Sequence, residues 1–144
     1  MTPERDPPAE VEVETRVGAP PEVVFSFFTE PEKYRQWKGQ EAELDPRPGG
    51  TYRVKMDETN VVRGVYVEVD PPHRVVFTWG FEGNDGLPPG TSRVEVTLVP
   101  DGDATIVRLR HTGLPDDESR SQHEVGWQLY LGQLAEAAGS TQAP

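Results

Sequence analysis

The sequence contains no cysteine, which removes disulfides, iron–sulfur clusters, thiolate zinc sites and cysteine nucleophiles together. Histidine is scarce as well: His73, His111 and His123 stand far apart and lack the paired spacing of a helical HExxH metal site. Neither a metal nor a cofactor is therefore expected. Long apolar runs are missing too, and stretches such as Val23–Val24–Phe25 fall far short of the roughly 20 residues a helical bilayer span requires. Met1 to Glu10 is charged and proline-rich without an apolar stretch, so it does not read as a secretory signal, and a cytoplasmic protein is expected. Positive charge is in deficit, with 14 Lys and Arg against 25 Asp and Glu, a formal net charge of −11. The arginines lie scattered among acids, which argues against nucleic acid or anionic membrane as a partner. The glycines of Gly49–Gly50 and Gly80–Phe81–Glu82–Gly83 lack the lysine and following helix of a phosphate loop. No Gly-x-Ser-x-Gly elbow accompanies Ser92, Ser119 or Ser121.

What remains is enough for one domain. The 144 residues are 34% hydrophobic and 27% charged, a balance that builds a core and does not suit a disordered chain. Residues 1–10 and 139–144 read as loose tails around a single unit at 11–138, with no internal repeat and no linker. From Val11 to Val17 apolar or β-branched residues alternate with charges, the period of a half-buried strand. Pro20 suits a first helical turn, with Val24, Phe25 and Phe28 on one face. Thr29 and Glu32 have the spacing of a capping box, for a second short helix that delivers Tyr34 and Trp37.

A run of five or six strands follows, broken at Pro46–Gly50, at Asp57–Asn60, at Pro71–Pro72, over the Gly- and Pro-rich 82–90, and at Pro100–Asp103. Tyr52, Val54 and Met56 share one face; so do Val75, Phe77, Trp79 and Phe81, and so do Val107, Leu109 and His111. The period then changes, and His123, Trp127, Tyr130, Leu131, Leu134 and Ala138 recur at helical spacing over about 117–138. Gly126 inside that helix costs about 1 kcal/mol against alanine, which suggests that something approaches its backbone. An antiparallel sheet with one apolar face and a long helix with one apolar stripe should bury each other. A twisted sheet fits a straight helix over part of its length only, which leaves room for a cavity.

Four segments carry a family resemblance. Asp45–Pro46–Arg47–Pro48–Gly49–Gly50–Thr51–Tyr52, the stretch from Gly64 through Asp70–Pro71–Pro72–His73 to Trp79, the hairpin at Pro100–Asp101–Gly102, and His123–Glu124–Val125–Gly126–Trp127 resemble the activator of heat-shock protein 90 ATPase-like (AHSA-type) family. The resemblance spans nearly all of 11–138. It implies an α+β helix-grip fold of the START-like (SRPBCC, birch-pollen-allergen-like) superfamily. That superfamily holds lipid carriers, polyketide cyclases and aromatases as well as co-chaperone domains, so the fold does not select a function.

The leading expectation is a binding protein for an apolar or lipid-like molecule, without catalysis, in a cavity walled by Trp37, Tyr52, Val54, Met56, Trp79, Phe81, His111, His123, Trp127 and Tyr130. Trp79 and Trp127 are expected to serve mainly as packing anchors. A cyclase-like enzyme that uses His111 or His123 as proton donor is the first alternative. A chaperone-associated, stress-response interaction domain is the second, and a homodimer or protein partner stays open. Arg108 and Arg110 are expected to face outward and pair with surface acids.

Overall fold

The structure is a computed structural model and describes residues 10–83 and 86–141, with side chains followed as far as Gly139. Of the expected tails, 1–9 and 142–144 lie outside the described residues, as do Asn84 and Asp85 of the long connection. Alternation has become strand throughout: β1 (Val11–Val17), β2 (Glu41–Leu44), β3 (Thr51–Lys55), β4 (Val61–Asp70), β5 (Arg74–Trp79), β6 (Ser92–Asp101) and β7 (Ala104–Thr112). All pair antiparallel in one sheet of order β1-β7-β6-β5-β4-β3-β2. The inner face carries Tyr52, Val54, Val75, Phe77, Trp79, Val94, Val96, Val107, Leu109 and His111, all buried. The outer face carries the charges. There Arg108 meets Glu14, and Arg110 meets Glu10, Glu12 and Glu95, as expected.

Two departures from regular pairing bend the sheet. The partners Tyr66–Phe77 and Glu68–Val76 leave Val67 as an extra residue, a bulge that increases local twist. Three residues earlier, a Cβ at Gly64 would lie 2.0 Å from the Thr78 carbonyl oxygen, so only glycine permits that approach of β4 to β5.

Two short helices, α1 (Pro21–Thr29) and α2 (Pro31–Tyr34), follow β1. Each starts with proline, whose missing N–H costs nothing in a first turn. The expected capping box does not form: Glu30 occupies the N-cap of α2, and the Thr29 hydroxyl donates back to the Phe25 carbonyl (3.3 Å). The long helix α3 (Asp117–Thr141) is started by Asp116, whose carboxylate accepts the Ser119 N–H at 2.8 Å. It runs three residues beyond the expected end at 138 and takes in Gly139. Its buried stripe is Trp127, Leu131, Leu134 and Ala138, and it packs along β1 and against α1. No helix among the described residues is long and apolar enough to cross a membrane.

The short helices fill one half of the groove between sheet and α3. Phe27, Phe28, Tyr34 and Trp37 are buried there. The Trp37 indole N–H donates to the Phe27 carbonyl at 2.9 Å and the Tyr66 hydroxyl to the Phe28 carbonyl at 3.1 Å. Tyr52 shares a hydroxyl hydrogen bond with Tyr34 and stacks on Phe77 with ring centroids 4.1 Å apart. That half is solid core.

Candidate functional site

The other half of the groove, toward the N-terminal turns of α3, stays open. A pocket of about 380 Å³ lies there, bordered by Met56, Trp79, Phe81, His123, Trp127 and Tyr130 together with Lys38, Asp57, Asn60, Gln122 and Gly126. This volume is within the range of roughly 300–1,000 Å³ typical of small-molecule sites. Six of the ten expected wall residues border it. The other four do not: Trp37, Tyr52, Val54 and His111 are enclosed in packed core. Tyr52 and Val54 point inward as their period requires, but into the part of the groove that α1 and α2 occupy. Trp79 and Trp127 both anchor the core and face the pocket. Gly126 borders the pocket, and a Cβ there would meet no other described part of the protein within 4 Å, so packing against other elements does not require the glycine.

A continuous chain of hydrogen bonds supports the pocket wall. The Trp127 indole N–H donates to His111 Nδ1 at 3.0 Å, and His111 Nε2 lies 2.9 Å from Ser92 Oγ, which itself donates to the Trp79 carbonyl at 2.8 Å. The Trp79 indole N–H donates to His123 Nε2 at 3.3 Å, and His123 Nδ1 lies 2.8 Å from the Ser119 carbonyl oxygen. An indole only donates and a carbonyl only accepts, which fixes both tautomers. His111 carries its proton on Nε2 and gives it to Ser92; His123 carries its proton on Nδ1 and gives it to Ser119.

Both imidazoles are thus neutral, with every ring nitrogen engaged. Burial pushes His111 down to about 2, helped by the neighbouring His123 and Lys38. Burial lowers His123 as well, with Lys38 adding to it and the Ser119 bond opposing it. The ring centroids of the two histidines are only 5.0 Å apart, as a shared catalytic task would need. Neither ring can accept a further proton without releasing an indole N–H into the core, so the arrangement suits orientation of the tryptophans better than proton transfer.

Sequence reasoning missed Lys38. It follows Trp37 in the turn after α2, yet its side chain is 2% exposed. Its ammonium position lies 4.2 Å from the centre of Trp79, 5.2 Å from Trp127, 5.4 Å from Tyr130 and 5.7 Å from Tyr34, with Met56 Sδ at 3.4 Å. No carboxylate pairs with it among the described residues. Aromatic faces favour a cation, but loss of water costs it more, and burial holds Lys38 well below the ordinary lysine range.

The neighbouring Gly39 sets this placement. It has φ +83°, and a Cβ on it would come 2.6 Å from Val54 Cγ1, while Gln40 N–H bonds the Lys55 carbonyl at 2.7 Å. Gly39→Ala is expected to cost at least about 1–2 kcal/mol from the left-handed backbone, read as a lower urea midpoint, and to widen the turn that holds Lys38 inward. The signal available in sequence was weak: a lysine beside a glycine reads as exposed loop. Among the described residues no group of three His, Asp or Glu could hold a metal ion.

Comparison with known proteins identifies the family and the fold. The family model described as Activator of Hsp90 ATPase homolog 1-like protein matches residues 18–139. The solution structure of an AHSA1-like protein from Rhizobium etli is 44% identical, with a TM-score of 0.72, covering 90% of this chain and 81% of that one. A crystal structure of a Mesorhizobium loti protein is 22% identical with a TM-score of 0.83, covering 93% of this chain and 99% of that one. An Hsp90 activator from Plasmodium falciparum is 23% identical with a TM-score of 0.74, covering 90% and 96%; at that identity the likeness concerns the fold. No curated protein sequence matches.

Proposed function

The chain belongs to the Activator of Hsp90 ATPase homolog 1-like family, and from that premise and the open half of the helix-grip groove we propose that it binds a small, largely apolar molecule without transforming it by histidine chemistry. The observation that carries this reading is the pocket of about 380 Å³ walled by Trp79, Phe81, Trp127, Tyr130 and Met56. A core built only for stability would close such a space, because unfilled volume forfeits packing. Here its walls are held rigid instead: both tryptophans are pinned through their indole N–H groups. Rigid aromatic walls lower the entropic cost of accepting a ligand.

The cyclase-like alternative has proximity in its favour, since His111 and His123 are adjacent. It lacks a free imidazole nitrogen, and His111 is walled off from the pocket by its burial. A chaperone-linked role rests on the family's description and gives the pocket no task.

Thermal unfolding across a panel of bicyclic aromatic and short-chain lipid-like compounds tests the binding reading. A true ligand at ten times its dissociation constant should stabilise the protein by about 1.4 kcal/mol. It should also change tryptophan fluorescence, because two of the three tryptophans line the pocket. A panel without any shift, together with unchanged fluorescence, would remove the proposal.

A further inference from the structure

We infer that Lys38 is a nucleophilic amine and that the pocket accepts apolar aldehydes or ketones, which it holds as an imine on Lys38 Nζ. This rests on the reading of the pocket as a small-molecule site and names the class of compound that the site would take.

The argument begins from what the amine lacks. The sequence has three lysines, Lys33, Lys38 and Lys55. Lys33 lies 3.8 Å from Glu30 and Lys55 lies 3.8 Å from Glu58, both partly exposed. Lys38 is buried on the pocket wall and, among the described residues, has only the Met56 thioether, a weak acceptor, within bonding distance. A structural role would be served better by an apolar side chain, since an unpaired ionisable group in an aromatic environment destabilises the fold.

The same surroundings make the amine reactive. Removal of water disfavours the ammonium, which frees the lone pair that attacks a carbonyl carbon. Among the described residues no hydrogen bond to that lone pair forms, and the indole N–H groups of Trp79 and Trp127 are committed to His123 and His111. The histidines are neutral, so they supply no charge for an anionic ligand to meet.

The step balances without any further reagent. The Nζ lone pair forms a bond to the carbonyl carbon, and a proton passes from nitrogen to the carbonyl oxygen to give a carbinolamine. Loss of that oxygen as water, with the second Nζ proton, leaves the carbon–nitrogen double bond. Tyr130 borders the same space, and burial keeps its hydroxyl protonated, so it can donate a hydrogen bond to the departing oxygen.

The probe is 2-naphthaldehyde with sodium cyanoborohydride at pH 7, followed by intact mass and peptide mapping. 2-Naphthalenemethanol, which has no carbonyl group, serves as the non-covalent comparison in thermal unfolding. Expected is one added mass equal to the aldehyde less one oxygen atom, mapped to Lys38 at least about tenfold faster than to Lys33 or Lys55. Lys38→Met should lose this label, with Lys33 and Lys55 labelled no faster than in the wild type. Labelling spread evenly over the three lysines, or absent from Lys38 while the alcohol stabilises the protein, overturns the imine and leaves the pocket as a binding site. If neither compound shifts the melting temperature and Lys38 stays unlabelled, the imine and the binding reading are both overturned.

Discussion

His111→Leu is expected to lower stability at pH 7.5 by about 2–4 kcal/mol, measured by urea unfolding. Leucine fills most of the volume of imidazole but accepts nothing, so the Trp127 indole N–H is left in the core without a partner. An unsatisfied buried donor costs about 1–3 kcal/mol, and the lost bond to Ser92 adds about 1. Against a typical total of roughly 5–15 kcal/mol for a domain, such a loss is severe. The pH dependence separates this network from ordinary packing. Folding holds His111 at about 2, against roughly 6.5 in the unfolded chain. A depressed folded pKa gives stability that is complete above the unfolded value and is lost as pH falls toward the folded one. Between pH 7.5 and 4.5 the wild type should therefore lose about 2.7 kcal/mol through His111 alone. His123 and Lys38 are coupled to His111 in this environment, so the difference between the two proteins reports His111 together with that coupling. The gap between the proteins should narrow by that amount as the solution is acidified. A gap that is constant from pH 7.5 to 4.5 would mean that the imidazole is protonated inside the fold, and the assigned tautomer would be wrong.

The fold was open to sequence reasoning because its elements announce themselves by period. The alternation of Val11–Val17 and of Val107–Leu109–His111 needs no neighbour to be read, and the helical recurrence from His123 to Ala138 matches the buried stripe of α3. The site was only partly open to it, for a geometrical reason. Period tells which face a residue takes, but it does not tell what stands opposite. Tyr52 and Met56 share a face of β3 and its extension, yet Tyr52 meets Tyr34 and Phe77 while Met56 meets the pocket. What decides between them is the position of α1 and α2 over the sheet, and this depends on tertiary packing. Lys38 carries no period at all, sitting in a turn, and its burial follows from the left-handed Gly39 and from rings supplied by α2, β5 and α3.

Lys38→Met should make the protein more stable at pH 7, by about 1–4 kcal/mol on the scale seen when buried charged groups give way to apolar residues of similar volume. At roughly 4 °C per kcal/mol for a domain of this size, the melting temperature should rise visibly. Methionine keeps the length of the lysine stem, and its thioether suits the rings of Trp79, Trp127 and Tyr130. The sign follows from linkage. Burial depresses the folded pKa of Lys38, so its contribution to stability is complete only above the unfolded value of about 10.4 and is already reduced at pH 7. The advantage of the variant should accordingly shrink when both proteins are unfolded at pH 10. Lys38→Arg supplies the opposite case: a guanidinium cannot shed its proton, and the fold must either bury a fixed charge or open the pocket. It should be less stable than wild type at both pH values. If Lys38→Met proved the less stable protein at pH 7, the ammonium would be held favourably by the aromatic faces, and the amine would be a structural cation. If the variant is more stable, the wild type retains at this position a group that its own fold disfavours, and a stability cost kept in a pocket is the pattern expected of a residue whose task is chemical.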